Sequence, residues 1–297
     1  MAESSVGMLG ASSLVGACLL PLLTRSGWHV TAYSRQPVGH AGDGVVWKQL
    51  SRNHAKTVEQ VTPYWICVAP IWVLSEHFPL IEASGARSVV ALSSTSRFTK
   101  VGSGDTAETA VVARLIEAEN HFVAWAKSRG IDWVILRPTL IYGLGQDKNI
   151  SEIARFIRHF SFFPVLGRAQ GLRQPIHAED VAAACVSALQ APGAANRAYN
   201  ISGGETLSYR DMVARVFTAL GRRPRVLIVP LWAFRLAVTM LRRLPRYRQW
   251  SSAMAERMNR DLVFDHTDAA RDLGFKPRGF ALAAEDLPTL AGPSQKN

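Results

Sequence analysis

Cysteine is scarce in this chain of 297 residues, and the three present, Cys18, Cys67 and Cys185, stand far apart. No C-x-x-C or Cys/His spacing occurs, which excludes a disulfide framework and a zinc site read from sequence, and a reducing cytoplasm is the expected compartment. Long apolar runs are also missing. No stretch of about 18 uncharged apolar residues is present, and the nearest, 226–241, is interrupted by Pro230 and Arg235. Residues 14–23 imitate a signal-peptide core, but Glu3 stands where a basic segment is required and a glycine turn precedes them, so they read as a helix of the fold. Acidic residues are few: 23 Asp and Glu against 34 Lys and Arg leave a net charge of +11. That excess favours anionic partners without choosing among phosphates, nucleic acid and an acidic membrane face. With 48% apolar and only 19% charged residues, disorder and coiled coil are excluded as descriptions of the whole chain.

Short β-branched runs alternate with helical periodicity over the first half of the chain. Strands are expected at 6–9, 29–33, 64–68, 88–92 and 133–136, and helices at 14–26, 71–83 and 106–129, with Gly130 as a left-handed stop. The fold class expected from this alternation is α/β, a doubly wound parallel sheet with crossover helices. After Gly143 the texture changes to Gly, Phe, Arg and Pro, with short helices at 150–160, 178–189, 209–220 and 231–241. Residues 198–201 read as a strand returning to the main sheet. The expected division is therefore 1–147 for the first domain, with 176–203 returning to it, and 148–297 mainly for a smaller, interleaved second lobe.

The first strand runs into Gly10-Ala11-Ser12-Ser13-Leu14-Val15-Gly16 and then a helix. Such a turn aims backbone N–H groups and the positive end of a helix dipole at one point, which suits a pyrophosphate. Gly10 permits the tight turn and Gly16 close helix packing, while Ser13 replaces the usual middle glycine and offers a hydroxyl. At the end of the second strand, Ser34 and Arg35 occupy the place where a carboxylate would read the ribose of NAD. Arg35 suits a 2′-phosphate instead, so NADP is expected in preference to NAD. Pro21, inside the first helix, conflicts with helix formation.

Taken with Leu92-Ser-Ser-Thr-Ser96, Ile135-Leu-Arg-Pro-Thr-Leu-Ile-Tyr-Gly143, Arg173-Gln-Pro-Ile-His-Ala-Glu-Asp180 and Tyr199-Asn-Ile-Ser-Gly-Gly204, the chain resembles an extended short-chain dehydrogenase/reductase of the NAD-dependent epimerase/dehydratase family. The resemblance covers most of the chain. It implies a Rossmann-type NAD(P)-binding domain and a C-terminal lobe for a phosphorylated substrate, commonly a nucleotide-sugar. On this reading Gly10, Ser12, Ser13, Leu14, Val15, Gly16, Ser34, Arg35, Ala69, Pro70, Ser93, Pro138 and Thr139 bind the cofactor. Ser94 meets the reacting oxygen, with Phe98 in place of a frequent tyrosine. Asn149, Arg173 and Arg257 hold the substrate, Arg260 being the alternative to Arg257 and an ion pair with Glu179 or Asp180 the alternative for Arg173. Asp180 reads as a helix N-cap and His177 as an interlobe hydrogen-bonder.

The family's tyrosine and lysine, four residues apart on the long helix, are missing. None of Tyr33, Tyr64, Tyr142, Tyr199, Tyr209 and Tyr247 has a lysine four residues on. If Glu119 is the acidic residue common on that helix, the pair falls at Val111 and Leu115; if Glu117 is, at Thr109 and Ala113. Lys100 and Tyr142 are the replacement proton donors that can be named. Two functions follow. One is an NAD(P)-dependent oxidoreductase acting on a nucleotide-sugar or related compound; the other is a dinucleotide-binding scaffold or assembly factor without catalysis. Among other partners, the basic, aromatic stretch 231–248 is either a helix over the substrate pocket or a weak peripheral contact with anionic membrane. Nucleic acid is not expected, since the arginines are scattered and no recognition motif appears. A homodimer is compatible with the chain.

Overall fold

A computed structural model describes residues 5–35, 44–50, 61–99, 106–232 and 257–289. The first half contains β1 (Ser5–Leu9), α1 (Leu14–Arg25), β2 (His29–Ser34), β3 (Val45–Gln49) and β4 (Tyr64–Cys67). A 3₁₀ segment, Ile71–His77, runs into α2 (Phe78–Ala83), followed by β5 (Ser88–Leu92), α3 (Ser96–Thr99), α4 (Thr106–Arg129) and β6 (Asp132–Pro138). Then come β7 (Ile141–Tyr142), α5 (Ile150–Phe160), β8 (Phe163–Leu166), β9 (Leu172–Arg173), β10 (Ile176–His177) and α6 (Ala178–Gln190). The described chain ends with β11 (Arg197–Ile201), β12 (Leu207–Ser208), α7 (Tyr209–Ala219), β13 (Val226–Val229) and α8 (Thr267–Leu273).

Seven strands form one parallel sheet in the order β11-β6-β5-β4-β1-β2-β3. From β1 the chain builds outward first through β2 and β3, then reverses through β4, so a crevice opens beyond the carboxyl ends of β1 and β4. The central strands are buried over almost their whole length because helices cover both faces. Val6, Met8, Val30, Val90 and Val134 pack beneath α1 and α6, while Leu9, Trp65, Val89, Ala91 and Ile135 meet α2 and α4. A separate core of Ile150, Ile153, Ile157, Met212, Val216 and Phe217 joins α5 to α7 in the second lobe.

Three local expectations change. The 71–83 segment is not one helix, because Pro79 has no N–H to continue an α-helical ladder back to Ser75, and α2 restarts around it. Strand β3 is an additional, half-exposed edge strand whose apolar signal is weak. Pro21 lies within an unbroken α1: both it and Ala17, whose carbonyl loses its helical donor, face solvent, where water replaces the bond. Membrane-spanning helices are absent among the described residues, and all three cysteines are free thiols.

Glu119 of α4 is buried, with 2% exposure. It accepts hydrogen bonds from Ser93 Oγ at 2.5 Å, from Arg137 Nη2 at 2.6 Å and from Arg97 Nη1. One carboxylate thus ties the end of β5, α3 and β6 to the long helix, and burial lowers the pKa of both guanidiniums. Removing it strands two half-buried cations, so Glu119→Ala is expected to lower unfolding stability by about 3–5 kcal/mol. Urea denaturation followed by circular dichroism checks this, with Glu119→Gln retaining part of the loss.

Candidate active site at the switch point and the interlobe cleft

The glycine turn is held by contact with the next strand's loop. Gly10 has φ +85°, and a Cβ there would lie 2.4 Å from Ala69 N; at Gly16 it would lie 2.3 Å from Ala11 O. Both positions therefore exclude side chains. Ser13 caps α1 by accepting from Gly16 N at 3.1 Å, which leaves its own hydroxyl proton for an outside acceptor. The first-turn N–H groups of Leu14 and Val15 have no partner inside the helix, although the Val15 side chain is buried in the core. Ser12 is exposed beside them.

Register brings the rest of the crevice together. Leu9 pairs with Tyr33 across β1–β2, so Gly10 lies level with Ser34 and Arg35 follows one residue beyond. Arg35 is exposed, and among the described residues no carboxylate pairs with it. Across the switch, Val68 N donates to Leu9 O at 2.9 Å, setting Ala69 and Pro70 against the turn.

A second cavity of about 730 Å³ lies between the sheet and the second lobe. Ser94, Thr139, Glu108, Asn149, Arg173 and Arg257 are in its wall, together with Lys148, Tyr209 and Arg260. Ser94 Oγ accepts from Ser96 N at 3.1 Å, which orients the hydroxyl at the end of β5. Neighbouring Ser93 differs from expectation: its hydroxyl is spent on buried Glu119, making it a strut of the fold. Pro138 O accepts from Thr95, and Thr139 Oγ1 donates to Gln174 O at 2.5 Å, so this stretch joins the two lobes. Asn149 starts α5 with its side chain outside any capping bond.

Arg173 is 4% exposed. Its Nη1 donates to Leu172 O at 2.6 Å and Arg260 O at 2.7 Å, and its Nη2 to Arg257 O. The expected alternative, an ion pair with Glu179 or Asp180, is overturned, because those carboxylates both pair with Arg278 at 2.9 Å. Arg173 has no carboxylate within ion-pair distance among the described residues, and burial lowers its pKa. It organises the turn carrying Arg257 and Arg260 while leaving its charge to the cavity. Arg257 meets Glu108 of α4 at 3.0 Å, and the Tyr209 ring lies 5.7 Å from the Arg173 guanidinium. Glu108, Lys148 and Tyr209 escaped sequence reasoning: Tyr209 was visible only as a helix start, and Glu108 only as one acid in a helical run.

Two expected roles are corrected. Tyr142 is fully buried, and its hydroxyl donates to Ala281 O at 3.2 Å. Burial pushes its pKa up to about 12, and it does not line the cavity, so it is a packing residue and no proton donor. The N-cap of α6 is His177, not Asp180. Its Nδ1 accepts from Glu179 N, and its Nε2 bonds Asp286 Oδ1 at 2.9 Å, joining the C-terminal segment to β10. Lys100 lies outside the described residues, as do 233–248 of the stretch 231–248. On the long helix, Leu115 is buried and Val111 exposed.

The parallel sheet, its switch-point crevice and the glycine turn define a Rossmann-type fold with a second lobe. Residues 80–202 match the NAD dependent epimerase/dehydratase family. A UDP-glucose 4-epimerase of Vibrio cholerae is 28% identical over 161 residues, 54% of this chain and 47% of that protein. The chain thus spans about half the length of that curated relative. A mitochondrial NADH dehydrogenase alpha-subcomplex subunit of Arabidopsis thaliana is 26% identical over 97 residues, 32% of this chain and 24% of that one. Among solved structures, a UDP-glucose 4-epimerase of Thermotoga maritima superposes with a TM-score of 0.68 at 14% identity, covering 95% of both chains. The fold is thus that of solved epimerases, and the middle of the chain, residues 80–202, carries the sequence pattern of the epimerase/dehydratase family.

The turn yields a direct test. Gly10→Ala forces either the turn or the Ala69 backbone to move, and NAD(P) binding measured by calorimetry is expected to fall at least about tenfold, equivalent to 1.4 kcal/mol. Unchanged affinity would remove the turn from the site.

Proposed function

We propose that this chain is an NAD(P)-dependent oxidoreductase of the epimerase/dehydratase kind that prefers NADP and acts on a nucleotide-sugar or related phosphorylated substrate. The observation carrying the reading is the buried Arg173, without an ion pair among the described residues, in a cavity that also contains Ser94, in a chain whose first strand ends in a turn shaped for a dinucleotide. The residues fit the cofactor. Gly10 to Gly16 would take its pyrophosphate, Arg35 the 2′-phosphate, and Ala69, Pro70, Pro138 and Thr139 would flank it. When bound, it supplies the hydride acceptor or donor.

The remaining work falls to the chain. Ser94, with Oγ already accepting from Ser96 N, has its proton to give to a substrate oxygen. Arg257 and Arg260, on the turn braced by Arg173, hold the phosphorylated end with Asn149. A positioned acid or base is worth about two to four powers of ten in rate, and Val111 and Leu115 cannot provide one. This favours either slow turnover or the second reading, a dinucleotide-binding scaffold. That second reading is supported by Leu115, buried where the family's lysine stands when Glu119 sets the register, and by the likeness to a mitochondrial NADH dehydrogenase alpha-subcomplex subunit.

Incubation with NADP or NADPH and a panel of UDP-glucose, UDP-N-acetylglucosamine and UDP-glucuronic acid separates the two. Redox change at the nicotinamide or isomerised sugar, lost in Ser94→Ala, is the expected result. Intact cofactor binding without turnover across the panel would leave the scaffold. Arg35→Ala is expected to weaken NADPH by about 1.5–3 kcal/mol, the worth of hydrogen bonds to a charged group, and to leave NADH unchanged. Equal weakening in calorimetry would mean that Arg35 does not read the phosphate.

A further inference from the structure

Between Asp211 and Glu256 the chain carries nine arginines and no acidic residue, so this short interval holds most of the net charge of +11. Within it, residues 221–232 are mostly exposed and are apolar as well as basic. Strand β13 pairs only with β8 among the described residues. Leu227 and Ile228 point to opposite sides of that strand, yet both are exposed, as are Leu231 and, at 72%, Trp232. The apolar surface continues across the lobe. Val226 is in register with Phe163, whose ring lies 5.4 Å from Phe156, which is in turn 4.6 Å from exposed Phe160.

Arginines rim this face. Arg222 donates to Ile157 O at 2.8 Å and to Ser161 Oγ at 3.1 Å, so it is fixed at the carboxyl end of α5. Arg223 and Arg225 are exposed, with no ion pair among the described residues. An edge strand left apolar on both sides invites pairing and aggregation unless something covers it. A soluble polyanion would match the arginines but leave Trp232, Leu227 and Phe160 in water. An acidic lipid surface satisfies both, taking the aromatic and aliphatic groups at the headgroup boundary and the guanidiniums at the phosphates.

We propose that the face formed by Phe160, Leu227, Ile228, Leu231 and Trp232, rimmed by Arg222, Arg223 and Arg225, seats the second lobe on an anionic membrane surface. The same lobe walls the cavity: Leu166, at the end of β8, donates its N–H to Met258 Sδ at 3.4 Å, and Met258 lines the cavity. Seating therefore brings the cavity close to the lipid. The proposal does not depend on the catalytic reading, since a scaffold would dock in the same way.

Co-sedimentation of the full chain with vesicles tests it. Binding is expected to mixed phosphatidylglycerol/phosphatidylcholine vesicles at low salt, and to be lost on pure phosphatidylcholine and at high salt. Leu227→Ser with Trp232→Ser, and separately Arg223→Glu with Arg225→Glu, should each lower the bound fraction about fivefold or more, while circular dichroism shows wild-type folding. Failure of the full chain to bind overturns the proposal, as does binding that neither double variant weakens. Light scattering supplies a third arm: self-association abolished by Leu227→Ser/Trp232→Ser, without vesicle binding, would assign the face to a second copy of the chain and also overturn it.

Discussion

The constraint on which the dinucleotide crevice depends is the approach of two backbones, the turn after β1 and the loop after β4. Their separation leaves no room for a Cβ at Gly10, whose ideal position would fall 2.4 Å from Ala69 N. Because β1 and β4 are neighbours only where the strand order reverses, this contact also locates the crevice. A helix N-terminus, an exposed arginine at the end of β2 and a proline-initiated loop are then arranged by register alone. Close packing on the strand side is what leaves the ligand side open, since the first-turn N–H groups of Leu14 and Val15 have no partner inside the helix.

The same economy fixes the cavity wall to the long helix. Glu119 binds Ser93, Arg97 and Arg137 at once, so the end of β5 and the strand carrying Pro138 remain fixed to α4 whatever occupies positions 111 and 115. Apolar residues there cost the fold nothing: Leu115 packs into the core cluster beneath the sheet with Phe122 and Trp125. The packing of this helix thus does not depend on an ionisable pair at these positions.

Much of this was legible in sequence for definite reasons. The run 88–92 is almost continuously apolar and 106–129 and 150–160 repeat apolar residues at helical spacing, and the structure has the same bounds. The turn from Gly10 to Gly16 is local, so its glycines and cap follow from chain order. What could not be read is set by long-range hydrogen bonding. Ser93 lies beside Ser94 in a motif that treats them alike, yet one faces a carboxylate 26 residues away and the other lines the cavity. Tyr142 follows the Arg-Pro-Thr motif, but its hydroxyl meets a carbonyl 139 residues on. His177 became the N-cap because its Nδ1 reaches Glu179 N, while Asp180 is drawn to Arg278. No local rule ranks a histidine above an aspartate at that position.

Arg173 shows how a side chain can be held structurally and still line a cavity. Backbone carbonyls satisfy hydrogen-bond donors but carry only partial charge, so three of them around a guanidinium fix its geometry without neutralising it. A carboxylate in their place would have fixed the turn equally well and cancelled the field in the cavity. The choice of carbonyls therefore leaves a rigid positive charge, only partly offset by Asp261 nearby, beside two further arginines, one of them paired with Glu108. An anion entering the cavity meets a site whose ordering cost has already been met by folding, and its affinity depends on the difference between its own hold on Arg257 and that of Glu108.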